Sequence, residues 1–385
     1  MSIDRALNFD DLRAIAKRKL PKIVFDFVDG GVEDETCLAR NRSAFQDYRL
    51  LPHYLVDVSK RDQSVSLFGR RYNSPFGISP MGLAGLAYPG VDLLLAKAAA
   101  EANVPYLMSN ASNATIEAAA AVAPHNTWFQ IYATTDERIN IDLVRRARDL
   151  ALETLVVTVD VPVNSNRERN RRNGFSRPPK MTLAVFLESL LHPRWVARFI
   201  LSGGIPAMEN WGVYAPPGAG RDGGGDLYGT LTPAPSMTWA RLEEIRSRWS
   251  GNLVVKGILS PADAVRAVEA GANGVILSNH GGRQLDAAPS PLDVLPAVRA
   301  AIGERAEILL DSGVRRGSDI LIALALGARL TLFGRPMLFG AAAGGEAGVR
   351  HALALMRREV DIVMGQIGVP ELAAIGSHSL WPPGS

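Results

Sequence analysis

Eight short apolar runs recur along the chain, and helix-compatible segments rich in Ala, Leu, Arg and Glu lie between most of them. Runs that are apolar on both faces are typical of buried parallel strands. The predicted strands are Phe76–Ser79, Pro105–Ser109, Trp128–Tyr132, Leu155–Asp160, Leu253–Lys256, Gly274–Ser278, Ile308–Asp311 and Leu330–Phe333. The predicted helices include Val91–Ala102, Ile141–Leu150, Pro261–Gly271 and Ser318–Gly327. Eight strands that alternate with helices predict an α/β fold with a closed (β/α)8 barrel of the TIM type. An open, doubly wound sheet is the alternative.

The length and spacing of these units predict one domain over residues 1–385, because a single barrel with insertions reaches this size. Residues 1–60 precede the first strand, and we expect them to form helices that pack on the barrel. The interval after the fourth strand, 161–250, is roughly 60 residues longer than an ordinary crossover. We therefore predict a long insertion there.

Composition limits the kinds of site that the chain can build. Cys37 is the single cysteine, which excludes a disulfide framework, an iron–sulfur cluster and a thiolate zinc site. The chemistry must come from other polar side chains or from an organic cofactor, and we predict no metal ligands and no nucleic-acid partner. Residues 1–10 lack the apolar core of a signal peptide, so a cytoplasmic protein is expected.

The net charge of +3 is unevenly spread, because one run is strongly basic. Its basic residues are Arg167, Arg169, Arg171, Arg172, Arg177 and Lys180. Such a run suits phosphates, substrate carboxylates or anionic lipid, and a solvated loop is the alternative.

Polar groups follow every predicted strand, at the barrel end where function is found in this fold. In strand order they are Pro80, Met81 and Gly82; Ser109; Gln130 and Tyr132; Thr158 and Asp160; Lys256; His280 and Arg283; Asp311, Ser312, Gly313, Val314 and Arg315; and Gly334 and Arg335. Surface residues scattered at random would not produce this pattern. The pattern therefore predicts one ligand site at that end of the barrel.

The last two strand ends indicate a phosphate. Gly313 and Gly334 allow close approach to backbone N–H groups, helices are predicted just beyond them, and Arg315 and Arg335 add charge. The alternative is that both glycines only serve tight turns. Lys256 ends a buried strand, so it needs either an acidic partner or an electron-rich cofactor whose charge it stabilises.

His280 stands between a predicted strand and a Gly-Gly turn. A carboxylate such as Asp160 can orient an imidazole and stabilise its protonated form. Arg283 offers a two-pronged donor for a carboxylate, and the phenol of Tyr132 can join it. A base, its orienting carboxylate and a carboxylate clamp together predict proton abstraction from a small hydroxy acid.

Several motifs are similar to those of one family. They are Leu20-Pro21-Lys22, Asp29-Gly30-Gly31, Trp128-Phe129-Gln130-Ile131-Tyr132, Thr158-Val159-Asp160, Val255-Lys256-Gly257-Ile258, Ser278-Asn279-His280-Gly281-Gly282-Arg283-Gln284-Leu285-Asp286, Asp311-Ser312-Gly313 and Ala325-Leu326-Gly327-Ala328. Over roughly residues 5–380 the chain resembles the FMN-dependent α-hydroxy acid dehydrogenases and oxidases, above all the membrane-associated (S)-mandelate and L-lactate dehydrogenases.

The resemblance implies a role for each of these residues. His280 would be the base and Asp160 its orienting group, while Arg283, Tyr132 and Arg167 would hold the substrate. FMN would be held by Pro80, Met81, Gly82, Ser109, Gln130, Thr158, Lys256, Ser278, Asp311, Ser312, Gly313, Val314, Arg315, Gly334 and Arg335. Hydride transfer to the flavin and removal of the α-carbon proton both remain open as mechanisms.

Three positions refine the implied substrate and acceptor. Phe27 stands where the family usually has a tyrosine that helps to bind the substrate carboxylate, and Ala111 stands where oxidases often carry a bulkier residue. Both changes favour an aryl-substituted L-(S)-2-hydroxy acid such as mandelate. Gly82 favours a dehydrogenase that passes electrons to a quinone or similar carrier. An oxidase that uses O2 and an L-lactate dehydrogenase are the alternatives, and a homotetramer is expected.

Residues 180–210 mix apolar side chains and Trp195 with Arg194 and Arg198. This composition suits the interface of a bilayer, so we predict a peripheral contact with the inner face of the cell membrane. A lid or a contact between subunits is the alternative.

Overall fold

The computed structural model describes residues 2–175 and 182–381. It contains a closed barrel of eight parallel strands, here β1 to β8: Phe76–Ile78, Tyr106–Ser109, Thr127–Tyr132, Thr154–Thr158, Asn252–Ile258, Gly274–Leu277, Glu307–Leu310 and Leu330–Phe333. Each strand pairs with the next one in the chain, and β8 pairs with β1. The predicted TIM barrel is therefore confirmed, and the open sheet is excluded.

The strands are buried on both faces, as their apolar composition requires. Their register aligns the polar residues at the ends of neighbouring strands. Ser109 pairs with Gln130 between β2 and β3, Tyr132 pairs with Thr158 between β3 and β4, and Thr158 pairs with Lys256 between β4 and β5. Alignment at one level places these side chains around a common opening.

Helices surround the barrel and bury their apolar faces on it. Those between successive strands are Val91–Ala102, Ile116–Val122, Glu137–Asp149, Trp239–Arg248, Pro261–Glu269, Pro291–Ile302 and Gly317–Ala325. The helix predicted at Ile141–Leu150 begins earlier, because the Asp136 side chain caps it by accepting a hydrogen bond from the Arg138 N–H.

The opposite end of the barrel is closed by an antiparallel ribbon, Val65–Leu67 with Arg70–Tyr72. Its apolar side chains pack against inward-facing residues of the strands. Trp128 of β3 donates a hydrogen bond from its indole N–H to the Tyr72 hydroxyl over 3.2 Å. A filled lower interior leaves the other end of the barrel as the place for a ligand.

The described part of segment 1–60 is mainly helical. Its helices are Phe9–Lys19, Lys22–Asp29 and Thr36–Ser43, with 3₁₀ turns at Ile3–Arg5 and Ala44–Asp47. Arg49–Leu50 pairs with Leu380–Trp381 near the other terminus. The first helix packs on the long helix Arg335–Gln366, which is interrupted at Gly344 and Gly345.

The insertion between β4 and β5 is largely helical too. Before the helix at Trp239 it contains Glu168–Arg172, Leu183–Leu190, Pro193–Leu201, Glu209–Gly212 and Gly223–Leu231. Arg177 and Lys180 of the basic run, and the start of segment 180–210, lie outside the described residues. In the ranges that are described, no helix combines the length and the hydropathy that crossing a bilayer requires.

Candidate active site

A cavity of about 700 Å³ opens at the carboxyl ends of the barrel strands. Most of the residues predicted for the site line it: Phe27, Pro80, Met81, Gly82, Ala111, Tyr132, Arg167, Lys256, His280, Arg283, Asp311, Ser312, Gly313, Val314, Arg315, Gly334 and Arg335. Asp160, Ser109, Gln130, Thr158 and Ser278 lie behind that lining and are buried or nearly so. The strand ends thus converge on one site.

His280 and Asp160 are in direct contact. The Nδ1 atom of His280 lies 2.8 Å from Oδ1 of Asp160. The Nε2 atom of His280 lies 3.4 Å from the Tyr132 hydroxyl. Burial lowers the pKa of His280 against the opposing effect of Asp160, so the imidazole is neutral near pH 7. A neutral ring that donates from Nδ1 to the carboxylate leaves Nε2 as an acceptor on the side of the cavity.

Lys256 is buried among carboxylates. Its Nζ lies 3.6 Å from Oδ2 of Asp160 and 3.4 Å from Oδ2 of Asp311, and it donates to Oγ of Ser278 over 2.9 Å. Burial opposes the charge of Lys256, but the two carboxylates outweigh it and raise the pKa of the ammonium. Burial likewise opposes ionisation of Asp160, yet His280 and Lys256 hold its pKa below the usual value. Both groups are therefore charged in the site.

The loop that carries His280 has an unusual backbone. His280 has a φ of 59° and Gly282 a φ of 70°, both in the left-handed region that side chains disfavour. Asn279 holds the loop by exchanging two hydrogen bonds, of 2.8 and 2.6 Å, with the buried side chain of Asn41. The N–H of Val32 donates to the carbonyl of Gly282 over 3.0 Å. The N-terminal segment thus fixes the conformation of the predicted base.

One wall of the cavity carries two guanidinium groups. Arg283 donates from Nη1 to the carbonyls of Phe27 and Gly30 over 2.8 and 2.9 Å, and Arg167 donates from Nε to the carbonyl of Arg283 over 3.3 Å. Burial, reinforced by Arg167, lowers the pKa of Arg283 well below its ordinary value. Two cations that are buried side by side are stabilised by an anion, so this wall is suited to a carboxylate.

The ends of β7 and β8 form a second cationic region. Burial lowers the pKa of Arg315 to about 9 and that of Arg335 to about 10, so each side chain is short of negative charge. Gly313 has a φ of 96°, and a Cβ there would lie 1.9 Å from the carbonyl oxygen of Asn41. Only glycine fits there, and Gly313 lines the cavity together with Arg315 and Arg335, a combination suited to a phosphate.

Several residues that line the cavity were not predicted from the sequence. Phe175, Met208, Tyr228 and Pro233 belong to the insertion and line the cavity beside the strand-end residues. Phe175 stacks on Phe27 with ring centroids 4.6 Å apart. The insertion contains no regular series of strands, so its sequence does not indicate which of its residues face the cavity. The Gly-rich run around 223–225 indicates only that two segments pack closely.

The comparisons with known proteins agree with this geometry. The model of one protein family, described as FMN-dependent dehydrogenase, matches residues 16–382. The chain belongs to this family. Within the FMN-dependent dehydrogenases it is 41% identical over 380 residues to (S)-mandelate dehydrogenase of Pseudomonas putida, covering 98% of this chain and 94% of the relative. It is also 41% identical over 367 residues to a putative L-lactate dehydrogenase of Mycobacterium tuberculosis, covering 94% and 86%.

Two solved structures share the fold. The crystal structure described as monotopic membrane protein (S)-mandelate dehydrogenase superposes with a TM-score of 0.94 at 41% identity, covering 98% of this chain and 99% of the other. The crystal structure of a mandelate oxidase with (S)-2-phenylpropionate superposes with a TM-score of 0.79 at 34% identity, covering 98% of each chain. The protein is accordingly an FMN-dependent oxidoreductase.

Buried polar atoms around the site fit FMN. Both side-chain polar atoms of Gln130 and the hydroxyl of Thr158 are buried and hydrogen-bond to no protein atom of the described chain. Such atoms cost free energy unless a ligand or water pairs with them, and a flavin ring offers matching carbonyl and N–H groups. Arg315, Arg335 and Gly313 supply the cationic, N–H-rich end that a phosphate needs.

Proposed function

We propose that this FMN-dependent dehydrogenase oxidises an aryl-substituted L-(S)-2-hydroxy acid, such as mandelate, to the 2-keto acid. One observation carries the proposal. The acceptor atom Nε2 of His280, backed by Asp160, lies in the same cavity as the guanidinium pair of Arg167 and Arg283. A base and a carboxylate clamp are the two groups that a 2-hydroxy acid requires. The names of the relatives support this substrate class.

In this proposal His280 takes the proton of the substrate α-hydroxyl on Nε2. Asp160 then stabilises the imidazolium through its contact with Nδ1, while Tyr132 and the two arginines hold the substrate. Bound FMN would supply the acceptor for the hydrogen of the α-carbon together with the two electrons of its bond. Lys256 keeps Asp160 ionised and would supply positive charge to the cofactor.

The other predicted residues would hold FMN. Gln130, Thr158, Ser109 and Ser278 are buried at strand ends of the barrel, and in this proposal their polar groups bind the ring system. The remaining residues would bind the phosphate of FMN or surround its ring with backbone groups. They are Pro80, Met81, Gly82, Asp311, Ser312, Gly313, Val314, Arg315, Gly334 and Arg335.

The cavity wall supports an aryl substituent. Phe27 and Phe175 form a parallel stack, and the Arg283 guanidinium lies 5.3 Å from the Phe27 ring centroid. Ala111 packs against Gly82 and brings only a methyl group to the cavity wall. Aromatic and small apolar groups at these positions favour a phenyl ring over a methyl group. L-Lactate is the second candidate, because several relatives carry that name.

The deciding experiment is an anaerobic titration of the FMN-loaded protein with (S)-mandelate, (R)-mandelate and L-lactate, followed through the flavin absorption band. We expect bleaching at the lowest concentrations with (S)-mandelate and none with the (R) enantiomer. Absence of bleaching with every 2-hydroxy acid would contradict the proposal. Admission of air then tests the acceptor, since an oxidase regains its colour with release of hydrogen peroxide and a quinone-linked dehydrogenase regains it when a quinone is added.

The helices Leu183–Leu190 and Pro193–Leu201 support the proposed membrane contact. Together with the residues joining them they expose large apolar side chains, of which Leu183 is 72%, Leu191 76% and Leu201 86% exposed. The second helix also carries the exposed Arg194 and Arg198. Trp195 anchors it to the barrel by donating from its indole N–H to the Leu86 carbonyl over 2.9 Å. Exposed apolar area with basic charge on the same helix suits an anionic bilayer surface. Docking there would bring the enzyme to the layer in which quinones dissolve.

Deletion of residues 180–210 tests this contact. We expect the full chain in the membrane fraction and the deletion variant in the soluble fraction with FMN retained. The double variant Leu191→Gln/Leu201→Gln should weaken co-sedimentation with phosphatidylglycerol vesicles, while the matched pair Leu7→Gln/Leu285→Gln, exposed elsewhere, should not. A full chain that is already soluble would rule the contact out.

A further inference from the structure

We propose that Tyr228, a residue of the insertion, donates a hydrogen bond from its phenol to the substrate carboxylate, and that Trp211 positions its ring. The proposal rests on the 2-hydroxy acid function proposed above. It assigns to the insertion a direct part in substrate binding, in addition to any contact with a membrane.

Tyr228 lies at the edge of the substrate site. It lines the cavity, and its ring meets that of Tyr132 edge-on with centroids 6.5 Å apart. Tyr132 in turn contacts Nε2 of His280. Arg167 and Arg283 line the same cavity as Tyr228. Burial lowers the pKa of Arg167, and the phenols of Tyr132 and Tyr228 act against this change.

Trp211 holds the Tyr228 ring in this place. The Trp211 side chain is fully buried, and its ring meets Tyr228 edge-to-face at 5.1 Å and 80°. Its neighbour Asn210 accepts a hydrogen bond from the N–H of Ile116 over 2.8 Å, and Arg146 donates to the Asn210 carbonyl over 3.1 Å. The support for Tyr228 is thus tied to helices of the barrel.

The glycine run at 223–225 explains how the two short helices come so close. A Cβ on Gly224 would lie 2.7 Å from the backbone N of Gly212 and 2.8 Å from the carbonyl carbon of Trp211. Only glycine allows this approach, which sets the ring of Tyr228 against Trp211. The run is poor in helix propensity, so its use in a helix indicates that the packing matters.

The chemistry of the wall favours a carboxylate as the partner of this phenol. Phe27 and Phe175 bring no donor to their part of the cavity, whereas Arg167 and Arg283 attract the anion. A phenol that lines the same cavity as Arg167 can donate to a carboxylate bound there. Hydrogen bonds to charged groups are about twice as strong as neutral ones, so loss of this hydroxyl is measurable.

The test compares wild type with Tyr228→Phe, using FMN-loaded protein and the flavin absorption band to follow binding of phenylacetate and of its neutral analogue phenylacetamide. We expect the variant to raise the Kd of phenylacetate by about tenfold to a hundredfold, with the Kd of phenylacetamide unchanged. An unchanged phenylacetate Kd, or equal losses for both probes, would overturn the proposal. The exposed Tyr54 gives the matched control Tyr54→Phe.

Trp211→Phe tests the positioning role. We expect it to weaken phenylacetate binding by about threefold alone and to add nothing in the Tyr228→Phe background, because coupled residues are not additive. An equal loss in both backgrounds would show a merely structural role for Trp211. Wild type that bleaches with no hydroxy acid but binds phenylacetate through Tyr228 would contradict the proposed function alone.

Discussion

Asp160 and His280 make their 2.8 Å contact although β5 separates the strands from which they extend. Asp160 and His280 can meet across the end of β5 because Gly257, which lies there, has no side chain. A Cβ there would lie 2.5 Å from the Cβ of Asp160. Lys256, the residue before it, has its Nζ 3.6 Å from Oδ2 of the same carboxylate. Three consecutive strands therefore build the predicted base, its carboxylate and its cation as one unit.

Replacement of the predicted base should abolish turnover while FMN stays bound. For His280→Gln we expect the rate of flavin reduction by (S)-mandelate to fall by about a hundredfold to ten-thousandfold, because general base catalysis supplies that much. Stopped-flow absorbance under anaerobic conditions measures it. The exposed His378 provides the control His378→Gln. Reduction at the wild-type rate would remove His280 from its proposed role.

Asp160→Asn should change the pH profile as well as the rate. Burial and Lys256 lower the pKa of His280, whereas the charge of Asp160 raises it. Removal of the Asp160 charge therefore lowers the pKa of His280 further. We expect the acid limb of kcat/KM to move to lower pH and the plateau to fall on the order of a hundredfold, since the imidazolium loses its partner. A limb that moves to higher pH would contradict this assignment.

Lys256→Met should destabilise the fold. It leaves Asp160 and Asp311 buried without their shared cation, which typically costs about 3–5 kcal/mol. Urea unfolding of the FMN-free protein measures the change. Lys97→Met, which breaks a surface ion pair with Glu346, is the control and should cost less than about 1 kcal/mol. Equal effects of the two variants would mean that the buried ammonium does not stabilise the pair.

A bulky residue at position 111 should shift the substrate range. Ala111 is buried against Gly82 at the cavity wall, so Ala111→Trp fills the space proposed for the aryl ring. We expect kcat/KM to fall about a hundredfold for (S)-mandelate and less than tenfold for L-lactate, since a clash acts on the larger substrate. Steady-state kinetics with an artificial acceptor measures both values. A uniform loss would place the ring elsewhere.

Asp92→Asn should stabilise the protein at neutral pH. Burial raises the pKa of Asp92 to about 6, so between pH 3.8 and 6 the folded state keeps a proton that the unfolded state releases. Its contribution to stability is therefore greatest at low pH and is lost as the pH rises through about 6. Asparagine keeps the acceptor for the Asn113 N–H without the charge. We expect a gain of about 3 kcal/mol at pH 8 that vanishes near pH 4.

Thermal unfolding at several pH values measures this effect, with the exposed Asp34→Asn as the control. A gain that is constant across the range would show that the buried charge is not its cause.

The barrel and the strand-end residues could be predicted because a parallel barrel converts order in the sequence into neighbourhood in space. His280, Asp160 and Lys256 each follow an apolar run, so their meeting needs only the closure of the barrel. Gln130 and Thr158 followed from the same rule. The regular period of the units made the eight runs easy to count.

The insertion and the N-terminal segment do not obey such a rule. Tyr228 lies in a helix that begins with three glycines, so its position depends on packing against Trp211 rather than on local preference. Nothing in the sequence around Asn41 indicates that this helical residue contacts Asn279. Contacts between segments that are far apart in the chain cannot be predicted from the local sequence of either segment.

The pair of Asn41 and Asn279 also bears on the order in which the protein matures. These residues are 238 positions apart, and their hydrogen bonds hold the loop of His280. During synthesis the N-terminal helix leaves the ribosome long before the loop that it must hold exists. The partly made chain therefore cannot oxidise a hydroxy acid, and activity begins only when the last third of the barrel has been translated and has closed onto the first helices.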